Sequence, residues 1–369
     1  MGNFPNWLNQ KASKWEEKFG LLLTSVLIGL ILVFCAGLYV WPKFNLEYHG
    51  IGYAELSKNI FNLEHVSDLR YRILSPFLGW LTRMKGDRFQ VIPWAFLIAF
   101  LSAGYYEIRR MQYQPALAIL VAAILGFSCT TFIPLISPGY VDPATFFFIL
   151  LVFTRIKQPI VSATCFSLAL LNHESVVFLF PAILGYAYFG TQELRKTFRF
   201  ACLMLLAIVP YATYRLWINA HHEVSYSTQF YFSYANIREC VNVTIIYAPM
   251  AAFYAFRLFW FFPFFAAFQA WKNNVRQRIL LYLLILIPIT AQLTIAFDST
   301  RLFCLAFPAI LIGVLDLVGY LGERTITLKG WVIFAFNLLI IPYFVGRDQV
   351  FQLHSAIYRL LIYCVETYL

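Results

Sequence analysis

Apolar residues along this chain come in long runs, without the strict alternation of a half-buried strand or the single stripe of a soluble amphipathic helix. The first extends from about 21 to 41, which matches the roughly 20 residues needed to cross a hydrocarbon layer about 30 Å thick. It is too long for the apolar core of a signal peptide, and no small-residue cleavage site follows it, so it reads as a retained first helix. Further runs fall at 91–108, 114–136, 143–154, 159–172, 175–190, 198–218, 246–270, 279–297, 302–321 and 330–346. The pattern predicts an all-α, polytopic transmembrane helical bundle of about eleven spans. The runs at 143–154 and 159–172 are short for a crossing, and are expected to be tilted or half-spanning helices packed inside protein.

The polar intervals have a pattern too. Within the long loop at 42–90, "YAELSKNIFNL" puts Tyr53, Leu56, Ile60 and Leu63 on one helical face, with Glu55, Lys58, Asn59 and Asn62 around the rest. "RILSPFLGWLTRM" adds an apolar stretch broken at Pro76 and ended by charges, which suits a second helix lying in the membrane interface. A second long loop covers 219–245, and residues 347–369 form an amphipathic tail, either interfacial or a last imperfect span. No linker, repeat or low-complexity tract divides the chain, so residues 1–369 are expected to build a single integral membrane domain.

Composition narrows the class further. With 61% hydrophobic and 12% charged residues, the chain cannot cover its apolar surface with a polar shell, which excludes an ordinary soluble domain. A net charge of +10 raises the question of nucleic acid, but loop bias and anionic lipid account for it better, and no nucleic-acid partner is expected. Placing the N-terminus in the cytoplasm puts Lys11, Lys14, Lys18, Arg109, Arg110, Arg155, Lys157, Arg195, Lys196, Arg199, Lys272, Arg276, Arg278, Arg324 and Lys329 on the cytoplasmic side. The expected location is therefore a multi-pass position in a membrane, the inner membrane if the source is bacterial. The seven cysteines fall mostly in apolar segments and outline no disulfide framework.

In that topology the outer side collects nearly all the chemistry: Glu47, His49, Glu55, Arg70 and Arg72 from the first loop, then Asp142, His173, Glu174, Asp298 and Arg301 from later turns. Ionisable groups near hydrocarbon are costly unless paired or used. Each also has a bland reading. Asp142 followed by Pro143 suits a helix cap; Asn172 or His173 suits a helix start; Asp298 and Arg301 suit a local ion pair. "HHE" at 221–223 lacks the spacing that puts two histidines on one helical face, so a metal there is disfavoured. Arg257, inside "FYAFRLFWFF", must snorkel, pair or reach a headgroup. The tyrosines of "SYSTQFYFSYAN" at 225–236 can stack on a sugar or simply pack their loop. The sequon at Asn242 matters only where such sites are glycosylated.

Taken in order, "YAELSKNIF", "LRYRILSPFLGWL", "GYVDPATFFFILL", "LALLNHESVVFLFPA" and "FDSTRLFCLAFPAIL" resemble bacterial multi-spanning proteins of the GT-C glycosyltransferase superfamily over most of positions 45–310. The resemblance implies transfer of a sugar, usually with inversion, from a polyprenyl-phosphate carrier to an acceptor glycan, lipid or protein on the outer face. It implies a carboxylate base early in the first outer loop, where this chain offers Glu47, then Glu55, in place of the usual Asp, with His49 beside them. Arg70 and Arg72 are then expected on the carrier phosphate, with Asp142, His173, Glu174, Asp298 and Arg301 completing the substrate site. A divalent metal is optional, and no cofactor is required. Arg70 and Arg72 face the same way only on extended backbone; on a helix they diverge, and one pairs with Asp68 or Glu64. A transporter or flippase of a lipid-linked sugar, or a noncatalytic scaffold of an envelope assembly complex, would also need many spans and a basic site. A midplane site and inverted repeats, expected of alternating access, are not evident.

Overall fold

The structure is a computed structural model that describes residues 4–61, 68–221, 231–346 and 349–353. It is a helical bundle. Helix α1 (Phe4–Val40) is followed by α2 (His49–Lys58), α3 (Leu74–Leu81), α4 (Val91–Arg110), α5 (Pro115–Gly126), α6 (Cys129–Ile136), α7 (Asp142–Thr154) and α8 (Pro159–Asn172). Then come α9 (Phe180–Thr191), α10 (Leu194–His221), α11 (Tyr234–Phe256), α12 (Phe261–Lys272), α13 (Arg276–Gln292), α14 (Ser299–Cys304), α15 (Phe307–Leu321) and α16 (Glu323–Leu339).

Six helical segments among the described residues are long and apolar enough to cross a membrane: Phe4–Val40, Gly86–Arg110, Glu174–Thr191, Leu194–His221, Tyr234–Lys272 and Ser299–Leu321. The pair α5 and α6, bent by 47°, makes a seventh if taken as one span. These segments make the protein membrane-embedded, but the count of eleven is not reached. Apolar runs at 143–154 and 159–172 fold as helices of 13 and 14 residues, too short to cross alone. The run at 279–297 loses its helix after Gln292. The run at 330–346 leaves its helix after Leu339 and ends in a strand. Apolarity decides that a segment avoids water, whereas crossing also requires an unbroken helix.

Because lipid tails are as apolar as Leu, association inside a membrane rests on close packing and satisfied polar groups more than on expulsion of water. Helix α1 packs on α4 and α5, α7 on α4 and α8, α10 on α8 and α9, and α12 on α15. At the centre, the Phe100 ring lies 5.3 Å from that of Phe307 and 5.9 Å from that of Phe146, with the first contact edge-on, an arrangement worth about 0.5–1.5 kcal/mol beyond area.

Arg257 shows how a buried charge is tolerated. Its guanidinium, 1% exposed, donates to the carbonyls of Phe127 (2.5 Å), Ile340 (2.8 Å) and Asn337 (3.3 Å) and to the Tyr39 hydroxyl (3.1 Å). Phe127 is the break between α5 and α6, and Ile340 follows the end of α16. Broken helices leave carbonyls without amide partners, and one fork of donors closes two such breaks. Among the described residues it meets no carboxylate.

At the bundle end that holds Arg109, Arg110 and Arg155, carboxylates meet the charge. Glu16 accepts from Arg109 at 2.6 and 2.7 Å and from Tyr105 at 2.5 Å. Buried Glu107 bridges Arg110 (2.9 Å) and Arg155 (2.6 Å). The all-α expectation holds, with one small antiparallel hairpin near the C-terminus: β1 (Tyr343–Gly346) pairs with β2 (Gln349–Gln352). The Val345 amide is pinned by the Thr300 hydroxyl at 2.9 Å. Of the expected amphipathic tail, Gln349–Gln352 form a strand, and residues 347–348 and 354–369 lie outside the described residues.

The interval 42–90 contains two short helices, as its periodicity predicts. Tyr53 and Leu56 are buried on α2 while Glu55 and Lys58 are exposed; the helix ends at Lys58, so Ile60, also buried, lies beyond it, and Asn62 and Leu63 lie outside the described residues. A small core of Tyr53, Ala54, Leu69, Phe89, Ile92 and Val141 anchors this layer to α4 and to the turn before α7. Close approach fixes α2 there: a Cβ on Gly50 would stand 2.2 Å from the Pro138 carbonyl oxygen, and Gly139 opposite it takes a φ of 89°, which disfavours any other residue.

Candidate functional site

The first-loop layer, the turn before α7, the α8–α9 junction, α10, the start of α11 and the start of α14 enclose one cavity of about 890 Å³. His49, Arg72, Asp142, His173, Glu174, Asp298 and Arg301 all line it. Residues spread over some 250 positions of chain therefore meet in one place.

Two guanidiniums organise the polar wall. Arg72 holds Glu174 through both ends of its fork, Nε to Oε2 at 2.9 Å and Nη2 to Oε1 at 2.7 Å, and donates from Nη1 to the Tyr53 hydroxyl at 3.0 Å. Arg301 donates from Nε to Asp142 Oδ2 at 2.9 Å and from Nη1 to Asp298 Oδ2 at 2.7 Å, and lies 4.6 Å from the centre of the Tyr140 ring. Such bidentate and charge-assisted bonds hold their partners in a fixed plane. The Asp142 carboxylate is thereby spent on Arg301, and no side-chain cap bond forms at the start of α7.

His173 joins the two halves. Its Nδ1 accepts the Ser175 amide at 3.2 Å. Nε2 is 3.9 Å from Asp142 Oδ1 and 3.4 Å from Arg301 Nη2. The starting-turn reading of His173 and its place in the cavity are both true. Asn172, beneath it, accepts from Ser75 at 2.6 Å and donates to Val141 and Thr145 at 2.7 and 2.8 Å, which locks α8 to α3 and α7.

His49 stands at the cavity mouth with its ring 5.6 Å from Tyr140, edge-on. Desolvation by the cavity wall, then the positive charge of Arg301, push its pKa down to about 4. The ring is neutral near pH 7 and able to accept a proton. Tyr53, buried beneath, has its pKa raised by burial and keeps its hydroxyl proton.

Three of the expected residues are not brought to the cavity. Glu47 is paired with Lys43 at 2.7 Å, and Glu55 with Lys58 at 2.6 Å, both at the surface. Neither carboxylate lines the cavity. Helical spacing brings each beside a lysine three or four residues away. Arg70 and Arg72 also separate: Asp68–Tyr71 is a 3-10 turn, so Arg72 reaches Glu174 while Arg70 lies off the cavity lining. Among the described residues the buried Arg70 guanidinium has no hydrogen-bond partner, and the Arg70 carbonyl accepts from Tyr214 at 3.0 Å.

Residues that the sequence reading passed over also line the cavity. Arg215 donates to the Tyr211 hydroxyl at 2.6 Å and lies 4.1 Å from the centre of the Tyr71 ring. An arginine deep inside the apolar run 198–218, one turn after Tyr211, was the available signal. Leu170, Val177, Ile208, Ile295, Leu302 and Leu305 add apolar surface to the same lining.

No group of three or more His, Cys, Asp or Glu side chains among the described residues is arranged to hold a metal ion. Arg301 bonds one oxygen each of Asp142 and Asp298, and Arg72 bonds both oxygens of Glu174. Of the "HHE" segment only His221 is among the described residues, with Nδ1 2.8 Å from the Trp217 carbonyl oxygen. The 225–230 tyrosine stretch lies outside them, whereas Tyr231 and Phe232 line the cavity. Asn242 falls within α11, where Thr244 donates to the Leu293 carbonyl at 2.8 Å. No protein-family model, curated protein or solved structure matches this chain.

Proposed function

We propose that this chain is a multi-pass membrane glycosyltransferase that moves a sugar, with inversion, from a polyprenyl-phosphate carrier to an acceptor. The observation that carries the reading is the mixed lining of the cavity, guanidiniums and carboxylates together with aliphatic side chains. An amphiphile with an anionic head and a hydrocarbon tail suits both kinds of lining. In this reading the N-terminal lysines lie in the cytoplasm and the cavity opens on the outer face.

The chemistry needs a proton acceptor, a stabiliser of the departing phosphate and exclusion of water. Asp142 and Glu174 are nearly enclosed in their ion pairs, while the Asp298 side chain, 43% exposed, keeps a free edge at the mouth. Asp298 is assigned as the base. It takes the proton of the acceptor hydroxyl as that oxygen bonds to the anomeric carbon; the bond from that carbon to the phosphate oxygen breaks on the opposite face, and its electron pair leaves with the polyprenyl phosphate. Arg215 and Arg72 stabilise that growing charge. Neutral His49 orients the acceptor beside Asp298.

The test is turnover of a polyprenyl-phosphate sugar by the purified full chain in lipid vesicles. D298N is expected to lower the rate by about 100-fold or more, while E47Q and E55Q retain it. Full activity in D298N removes the base assignment. Sugar lipid that crosses the bilayer without turnover replaces the transferase by a flippase.

A further inference from the structure

We propose that residues 4–19 form a surface helix that binds the headgroups of anionic phospholipids, separate from the cavity. Helix α1 is not one rod: Gly20 takes φ 78° and ψ 160°, breaking it into residues 4–19 and the apolar segment 21–40. A positive φ with extended ψ is open to glycine and to almost nothing else.

At about 100° per residue, Pro5, Asn9, Ala12 and Glu16 share one face of the first piece. That face is fastened to the bundle. Pro5 and Ala12 are buried, the Asn9 side chain accepts the Ala116 amide at the start of α5 at 2.7 Å, and Glu16 holds Arg109. Phe4 lies edge-on to Trp331 of α16 at 5.4 Å. The helix is thus held across the ends of α4, α5 and α16.

The outward side is graded. One flank carries Phe4, Trp15 and Phe19, exposed by 45, 39 and 40%. The other carries Asn6, Gln10 and Glu17, also exposed. Between them lie Lys11, Lys14 and Lys18, with Trp7 beside them. Aromatic rings toward the acyl boundary, polar groups toward water and lysines along the seam form the order of a helix at headgroup depth.

The charge balance identifies the lipid. Arg109, Arg110 and Arg155, at the same end, are matched by Glu16 and Glu107. Among the described residues none of Lys11, Lys14 and Lys18 forms an ion pair, and Lys18 rests 5.1 Å from the Phe19 ring centre. Three uncompensated ammonium groups on a helix that the bundle holds in place suit phosphate diesters of net negative charge, and a zwitterionic headgroup supplies no such excess.

The experiment titrates phosphatidylglycerol, with phosphatidylcholine as the neutral comparison, into the detergent-solubilised full chain and reads the thermal midpoint and the lipids retained in native mass spectrometry. Wild type is expected to rise in midpoint and retain phosphatidylglycerol preferentially. K11Q/K14Q/K18Q is expected to weaken that response roughly tenfold to hundredfold at low salt, K11R/K14R/K18R to preserve it, and R195Q/K196Q/R199Q to behave as wild type. An undiminished response in the glutamine variant overturns the proposal, as does an equal loss in the arginine variant. If the glutamine variant does not fold, salt decides on wild type: a response unchanged at about 1 M salt, where screening reaches about 3 Å, overturns it.

Discussion

Removing Arg301 should cost more stability than removing the carboxylate it holds, and the two losses should not add. The Arg301 and Asp142 side chains are 3% and 7% exposed and bonded at 2.9 Å. In R301Q a carboxylate is stranded in a near-dry setting, a change worth about 3–5 kcal/mol. In D142N the guanidinium still has Asp298 at 2.7 Å, so the loss is that of one charge-assisted hydrogen bond, about 1.5–3 kcal/mol. The double variant strands no charge and should be no worse than R301Q alone, which makes the coupling about 1.5 kcal/mol or more. Equilibrium unfolding of the detergent-solubilised protein, followed by tryptophan fluorescence, gives all four corners of the cycle. R301Q should also recover part of its loss near pH 5, because the stranded Asp142 can then take up a proton. Additive single losses, or an R301Q cost equal at both pH values, would refute the view that this pair is a buried, mutually dependent unit.

Other expectations follow from the same contacts. His49 has its folded pKa lowered to about 4 from an ordinary value of 6.5. Between those values the unfolded chain binds a proton that the folded chain does not, so the contribution of His49 is fully present above about pH 6.5 and is lost as pH falls toward about 4. H49Q should therefore show a shallower fall in thermal midpoint across that window; parallel curves for the two proteins would count against it. R257M leaves the carbonyls of Phe127, Asn337 and Ile340 without their donor, and should lower stability by about 3 kcal/mol or more in the same unfolding assay. G50A would drive a Cβ to 2.2 Å from the Pro138 carbonyl oxygen. It should cost about 1–3 kcal/mol, read as a lowered unfolding midpoint, and move His49 away from Tyr140, which a change in the pH profile of the midpoint would register.

Composition and the length of the apolar runs determined the class of this protein, because apolar segments of spanning length have no soluble alternative. They also placed a helical face at Tyr53 and Leu56, since a period of 3.6 is a local property, whereas the end of that helix at Lys58, before Ile60, was not marked. The residues His49, Arg72, Asp142, His173, Glu174, Asp298 and Arg301 were legible as costly polar groups beside hydrocarbon, and they line the same cavity. What the chain alone did not contain was partnership. Glu47 and Glu55 have the same chemistry as Glu174, but adjacent lysines claim them at the surface while Arg72, 102 positions away in the chain, claims Glu174. Arg70 and Arg72 differ only in the turn they follow. The number of crossings and the tying of broken helices by Arg257 depended on contacts between distant segments. Local sequence sets which groups avoid water or hydrocarbon, and tertiary packing decides which of them meet.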